Sequence, residues 1–228
     1  MHLKLAVALL GCSSVLFSTY AEEIDLFILA GQSNADGRGL TADLPVGSPF
    51  ASPQDALIWY ANPDSDTQTI EFQSDGFEAL APGFSNPPGF GGTSLPSGTF
   101  GLELSFASAI QEETGSTNQV AIVKVTEGGT AIRESRGEWF PSRGDNAGFA
   151  FTTLLDQVGQ AIQTLEAEGN TVNVKAFLWH QGESDRNTGD YIDTLSNLIE
   201  IVRDEFGKDL AFVAGELAQR DILSLIHI

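Results

Sequence analysis

Five short apolar runs alternate with helical patterns along this chain, and that alternation narrows its possible folds more than any other feature. The runs cover residues 25–30, 56–60, 120–125, 174–179 and 210–214. None alternates strictly between apolar and polar, as expected of strands buried on both faces. Helical patterns cover 102–113, 150–168 and 188–205. The last carries Ile192, Leu195, Leu198, Ile199 and Val202 at helical spacing, a stripe expected in the core. Strand and helix in alternation predict an α/β domain, a three-layer αβα sandwich around a mostly parallel sheet. A chain of 228 residues suits one such domain with a sizeable core. Between 63 and 101 the sequence is rich in Gly, Pro, Ser and Phe and reads as a long loop beside the site. Its phenylalanines (Phe72, Phe77, Phe84, Phe90, Phe100) either stack on a ligand or, for most of them, tack the loop down.

Open α/β sheets bind ligands outside the carboxyl ends of their strands. The first strand ends there in Gly31-Gln32-Ser33-Asn34. A serine on a glycine turn entering a helix has an accessible hydroxyl and a free N–H, two needs of an acyl-transfer nucleophile. Read alone, Ser33 is equally a turn residue or helix cap. A second strand ends in Trp179-His180-Gln181-Gly182-Glu183-Ser184-Asp185. There the Gln181 amide is a candidate oxyanion donor, while Glu183 and Asp185 read as loop locks or helix caps. Thr126-Glu127-Gly128-Gly129-Thr130 follows a third strand, and its glycines let backbone approach a ligand. Gly101 opens a helix, with its N–H expected to face the crevice. Glu103 suits the dipole of that first turn.

Together these segments resemble the SGNH hydrolases and, more narrowly, the sialate O-acetylesterase-like group, carbohydrate esterase family 6. Ile28-Leu29-Ala30-Gly31-Gln32-Ser33-Asn34 with Asp36-Gly37-Arg38-Gly39 is similar to the first block, Ala35 standing where the family usually has methionine. Gly101-Leu102-Glu103-Leu104 resembles the second block, and Gly128-Gly129-Thr130 with Trp139 the Gly-Gly-Thr/Ser block. Gln181-Gly182-Glu183-Ser184-Asp185 matches the Gln-Gly-Glu-Ser-Asp signature. The likeness runs from about 24 to 217. It implies an αβα sandwich in which Ser33 is the nucleophile. The oxyanion hole would be formed by the N–H groups of Ser33 and Gly101 and the side chain of Gln181. Gln32, Asn34, Gly128, Gly129, Thr130, His180, Glu183 and Asp185 are implied as cleft or support residues. The substrate implied is an acetylated carbohydrate, with no metal or other cofactor. The absence of the second glycine of G-x-S-x-G speaks against the α/β-hydrolase fold.

A serine esterase also needs a base and a carboxylate to orient it. The family supplies both from a C-terminal Asp-x-x-His motif, and here serine occupies the aspartate position before His227. Residues 223–228 match what one reading frame of a common transposase sequencing adapter encodes. They are expected to be non-native, leaving a domain over 22–222 whose last helix and catalytic histidine lie beyond the chain. The chain by itself is then expected to be inactive. His180 is the remaining candidate base. Residues 1–21 read as a secretory signal with Lys4 ahead of an apolar stretch, too short and interrupted to span a bilayer. The expected destination is the exterior or periplasm, with a lipoprotein anchored through Cys12, the only cysteine, as the alternative. A net charge of −20 repels nucleic acid and anionic lipid. The function these features predict is a secreted serine esterase releasing O-acetyl groups from carbohydrate. The alternatives are a non-catalytic carbohydrate-binding module on the same crevice, or a lipid-acting SGNH esterase.

Overall fold

The computed structural model describes residues 21–51, 54–86, 95–114, 117–186 and 188–217. The expected signal segment, Cys12, Phe90 and the tail containing His227 lie outside the described residues.

The chain runs β1 (Glu23–Gly31), α1 (Ser33–Asp36), β2 (Gly39–Leu40), two 3-10 turns, β3 (Ala56–Asp64), β4 (Thr69–Gln73), β5 (Glu78–Ala79) and β6 (Thr99–Phe100). It continues through α2 (Glu103–Thr114), β7 (Gln119–Thr126), α3 (Phe149–Ala167), β8 (Thr171–His180), a 3-10 turn, α4 (Tyr191–Phe206) and β9 (Ala211–Ala214). The main sheet has the order β4-β3-β7-β1-β8-β9, with β5 also on β3. Strands β3, β7, β1, β8 and β9 are mutually parallel, while β4 and β5 pair antiparallel.

Both faces of the central strands β1 and β7 are covered, which is why their sequences are largely apolar. Ile24, Leu26, Ile28 and Ala30 of β1 pack with α3 and α4, in a core holding Phe151, Leu154, Val158, Leu198 and Val202. Phe27 and Leu29 point the other way, into a second core with Ala35 of α1 and Leu104 and Ala107 of α2. Period-two alternation between two apolar cores gives the three αβα layers. Each fully buried Leu, Ile or Phe contributes about 1.5–3 kcal/mol.

Three sequence expectations change. The stretch 63–101 is not one long loop. Its first part returns along β3 as β4, whose Ile70 and Phe72 are partly buried between exposed Thr69, Glu71 and Gln73. Phe77 packs edge-to-face on Trp59 at 5.4 Å between centroids, and Phe72, Phe84 and Phe100 join the α2-side core. These rings therefore tack the stretch down. The last helix begins at Tyr191 because the Thr188 N–H and hydroxyl both donate to the Asp185 carbonyl, which holds that segment as a turn. Ile192, expected in the core stripe, is 49% exposed, since it lies in the first turn of α4, ahead of the residues that reach the sheet.

From the carboxyl end of β1 the chain leaves toward β3, on one side; from that of β8 it leaves toward β9, on the other. Neighbouring strands whose connections diverge open a crevice between them, the usual ligand position in such sheets. Ser33 follows β1 and Gln181 follows β8.

Candidate active site

The floor of the crevice is backbone. Gly31 pairs with Thr126 on one side and His180 on the other. It adopts φ +140°, and a Cβ there would lie 2.2 Å from the His180 carbonyl oxygen. No other residue fits. The Gln32 N–H donates to the His180 carbonyl at 3.0 Å, and the Glu127 N–H to the Gly31 carbonyl at 3.1 Å. Three loops thus converge on the end of β1. The chain then makes the single turn α1, closed by the Asp36 N–H to Gln32 and the Gly37 N–H to Ser33. Gly37, at φ +108°, lies flat against Gly101, where a Cβ would come within 2.3 Å of the Gly101 Cα.

Ser33 is half-buried, and among the described residues no hydrogen bond engages its hydroxyl or its N–H. Gly128 lies beside it: a Cβ built there would be 3.9 Å from the Ser33 Cβ and 3.3 Å from Nη2 of Arg38. Gly128 and Gly129 are exposed, and their N–H groups are unbonded among the described residues. Arg38 is exposed and forms no ion pair or hydrogen bond among the described residues. Arg38 and Ser33 thus both flank Gly128, and a guanidinium unpaired among the described residues is conspicuous in a chain with 31 acidic residues.

The two other expected oxyanion donors are otherwise engaged. The Gly101 N–H donates to Oε1 of Glu103 at 2.8 Å, and Glu103 is fully buried, so this N–H points into the interior rather than the crevice. Gln181 is also buried. Its amide nitrogen donates to the Thr130 carbonyl at 3.0 Å and to Oδ2 of Asp185, which uses both amide hydrogens. Gln181 is therefore a tie between the loops after β7 and β8. Its Oε1 is buried without a partner among the described residues.

Asp185 is the centre of that tie. It accepts from the Ile132 N–H at 2.9 Å, the Arg133 N–H at 3.3 Å and Arg133 Nη1 at 3.1 Å, besides Gln181. Asp185 thus joins the loops after β7 and β8. Glu183 acts differently: its Oε1 accepts from Asn34 Nδ2, joining the β8 loop to the residue after Ser33, and its Oε2 is buried and unpartnered among the described residues. Gln32, buried, accepts from the Ser184 N–H at 3.4 Å. Thr130 is structural, its hydroxyl donating to the Glu127 carbonyl and accepting from Trp139 Nε1. Trp139 in turn meets Trp179 edge-to-face at 5.3 Å.

His180 is half-buried, and its imidazole makes no hydrogen bond among the described residues. Gly215 lies against the ring, a Cβ there falling 2.8 Å from Cγ of His180. Among the described residues no hydrogen bond joins His180 to the Ser33 hydroxyl, and none joins its ring to a carboxylate. Glu127, beside Gly128, has its pKa raised to about 7 by burial, against the lowering effect of the Ser65 hydroxyl and N–H that donate to it.

Sequence reading passed over a buried polar cluster beneath α1. Lys124, fully buried on β7, donates to the Asp36 carbonyl at 2.6 Å, the Phe84 carbonyl at 2.7 Å and Oε2 of Glu103 at 2.9 Å. The Asp36 carboxylate accepts from the Tyr60 hydroxyl, the Thr126 hydroxyl and the Asn86 N–H. Burial first, and then the Asp36 charge, push the Tyr60 hydroxyl pKa well above its ordinary value. The signal was a lysine inside an otherwise apolar strand, a position that lysine occupies only when paired.

The model of the family described as carbohydrate esterase, sialic acid-specific acetylesterase, matches residues 23–227. Among solved structures, a protein of Arabidopsis thaliana is similar at 22% identity, with a TM-score of 0.57 over 86% of this chain and 74% of that one. NanS is similar at 17% identity, with a TM-score of 0.55 over 86% and 68%. A carbohydrate acetylesterase from Xanthomonas citri is similar at 20% identity, with a TM-score of 0.50 over 83% of this chain and 41% of that one. Likenesses at these identities show a shared fold. No curated protein matches the chain.

Proposed function

Because the chain belongs to the sialic acid-specific acetylesterase family of carbohydrate esterases, we propose that it releases acetate from an O-acetylated, carboxylate-bearing sugar through Ser33. The observation that carries this reading is the pairing of an unbonded serine hydroxyl at the switch point with the unpaired guanidinium of Arg38. Ser33 Oγ attacks the acetyl carbonyl carbon, the sugar oxygen departs with a proton, and water hydrolyses the acetyl-serine. The unbonded N–H groups of Ser33, Gly128 and Gly129 are the donors available to the tetrahedral oxyanion. A preorganised donor of this kind typically contributes about 3–4 kcal/mol in the transition state. Arg38 holds the carboxylate of the sugar, a charge the acidic surface otherwise repels.

The proton of Ser33 needs a base. Among the described residues none touches its hydroxyl, so we assign the base to a residue outside them, as the Asp-x-x-His resemblance implies, and expect the chain alone to turn over slowly. Export follows from the pattern of residues 1–21. The second reading is a module that binds acetylated glycan in the same crevice without turnover.

The test is acetate release from O-acetylated sialic acid and from an acetylated neutral sugar. Ser33→Ala should abolish release from both. Arg38→Gln should raise KM about tenfold, worth about 1.4 kcal/mol, on the acidic sugar alone. Unchanged release by Ser33→Ala refutes the esterase reading, and glycan binding without release supports the second one.

A further inference from the structure

α1 is a single four-residue turn with no side-chain cap. One turn has almost no stability of its own, because nucleating a helix costs more than its first hydrogen bond returns. Something else must fix the position of Ser33. Its amino end is tied by the Gln32 N–H to β8. Its other end rests on Asp36, which is 1% exposed and bonded through both backbone and side chain. Lys124 Nζ donates to the Asp36 carbonyl, and the Asp36 carboxylate accepts from β3, from β7 and from the Asn86 N–H. The same ammonium holds Glu103, and Glu103 holds the Gly101 N–H against Gly37, the residue that closes the turn. All three ammonium hydrogens are used. The ring of Tyr60 lies 5.5 Å from Nζ.

We infer that Lys124 is a positioning residue: its buried ammonium, braced by Glu103, sets where the Ser33 turn sits relative to the crevice. A buried ion pair is weak as a source of stability, because desolvating both charges offsets most of their attraction. Such a pair at the far end of a one-turn nucleophile helix makes sense as a device for geometry. A displacement near 1 Å at a reacting group costs on the order of 100-fold in rate.

The experiment compares the full chain with Lys124→Met and with the double variant Lys124→Met/Glu103→Gln. The single variant leaves Glu103 charged and buried without its cation, and the Asp36 and Phe84 carbonyls without their donor, and loses stability for both reasons. The double variant removes both charges and keeps an oxygen for the Gly101 N–H, so its melting temperature should recover the part of the loss due to the unpaired carboxylate. Amide exchange of Gly37, whose N–H closes the α1 turn on Ser33, should be at least tenfold faster in the double variant. The amide of Gly207, bonded to Arg203 at the end of α4, should be unchanged. On an O-acetylated sugar kcat should fall about 100-fold with KM within threefold; this arm rests on Ser33 being the nucleophile. A double variant with wild-type Gly37 protection and wild-type kcat overturns the inference. A wild type without measurable turnover is what the chain by itself is expected to give, and the exchange comparison then decides the role of Lys124 alone.

Discussion

Asp185→Ala should be the most destabilising single truncation among the loops around the crevice. The carboxylate is 4% exposed and accepts four hydrogen bonds, from Ile132, Gln181 and twice from Arg133. Alanine leaves the buried Ile132 N–H without an acceptor and the Gln181 amide with the Thr130 carbonyl and a long 3.4 Å bond to Oε1 of Gln32. An orphaned buried donor costs about 1–3 kcal/mol. The Arg133 guanidinium, whose side chain is 23% exposed, recovers part of its loss in water. The total comes to about 3–5 kcal/mol, the range for breaking one side of a buried ion pair. In a domain of this size that lowers the melting temperature by roughly 6–20 °C. Asp185→Asn retains one acceptor oxygen and should lose about half as much. The assay is calorimetric or circular-dichroism melting, with exposed Asp156→Ala as a control expected within about 0.5 kcal/mol of wild type. A loss below about 1 kcal/mol for Asp185→Ala would show that the two loops are not held together through this carboxylate. The measurement is independent of any activity.

Gln181→Ala should lower stability by about 1–3 kcal/mol, seen as a lower urea midpoint, because its amide ties the Thr130 loop to Asp185; an unchanged midpoint with a lost kcat would restore it as an oxyanion donor. Glu127 has a folded pKa near 7 against an ordinary 4.5, so its ionisation destabilises the fold. Its contribution is fully present below about pH 4.5 and is lost as pH rises through 7. Urea midpoints at pH 5 and pH 7.5 should therefore differ less in Glu127→Gln than in wild type, and an equal difference would contradict the shift. Gly31→Ala, with a Cβ 2.2 Å from the His180 carbonyl oxygen, should yield no soluble folded protein. A well-dispersed amide spectrum from that variant would overturn the account of the floor.

Much of this architecture was legible in the sequence because two-sided burial leaves continuous apolar runs, and those runs mark the parallel strands. β4 escaped notice for the opposite reason. It is a one-sided edge strand in which only Ile70 and Phe72 are partly buried, and its alternation was lost among neighbouring glycines and serines. The convergence of Ser33, Gly128 and the β8 loop could be anticipated because motif position at strand ends fixes spatial position in a parallel sheet. Hydrogen-bond direction could not. Whether Gln181 donates to a ligand or to Asp185, and whether the Gly101 N–H faces out or into Glu103, depends on side chains brought together only by folding. Lys124 was readable in principle as the one charge in its strand, but its partners lie 88, 40 and 21 residues away in sequence.

The glycine floor divides the site into what variation can reach and what it cannot. At Gly31 and Gly37 a methyl group would strike main-chain atoms, and close-packed main chain does not give way. Selection therefore has no purchase on the base of the crevice. Any drift in substrate preference must be written in the rim, at exposed Asn34, Arg38, Gly128 and Gly129. A saturation library split along this line should show it: floor positions return only wild type, while rim positions return folded variants that differ in which ester they accept.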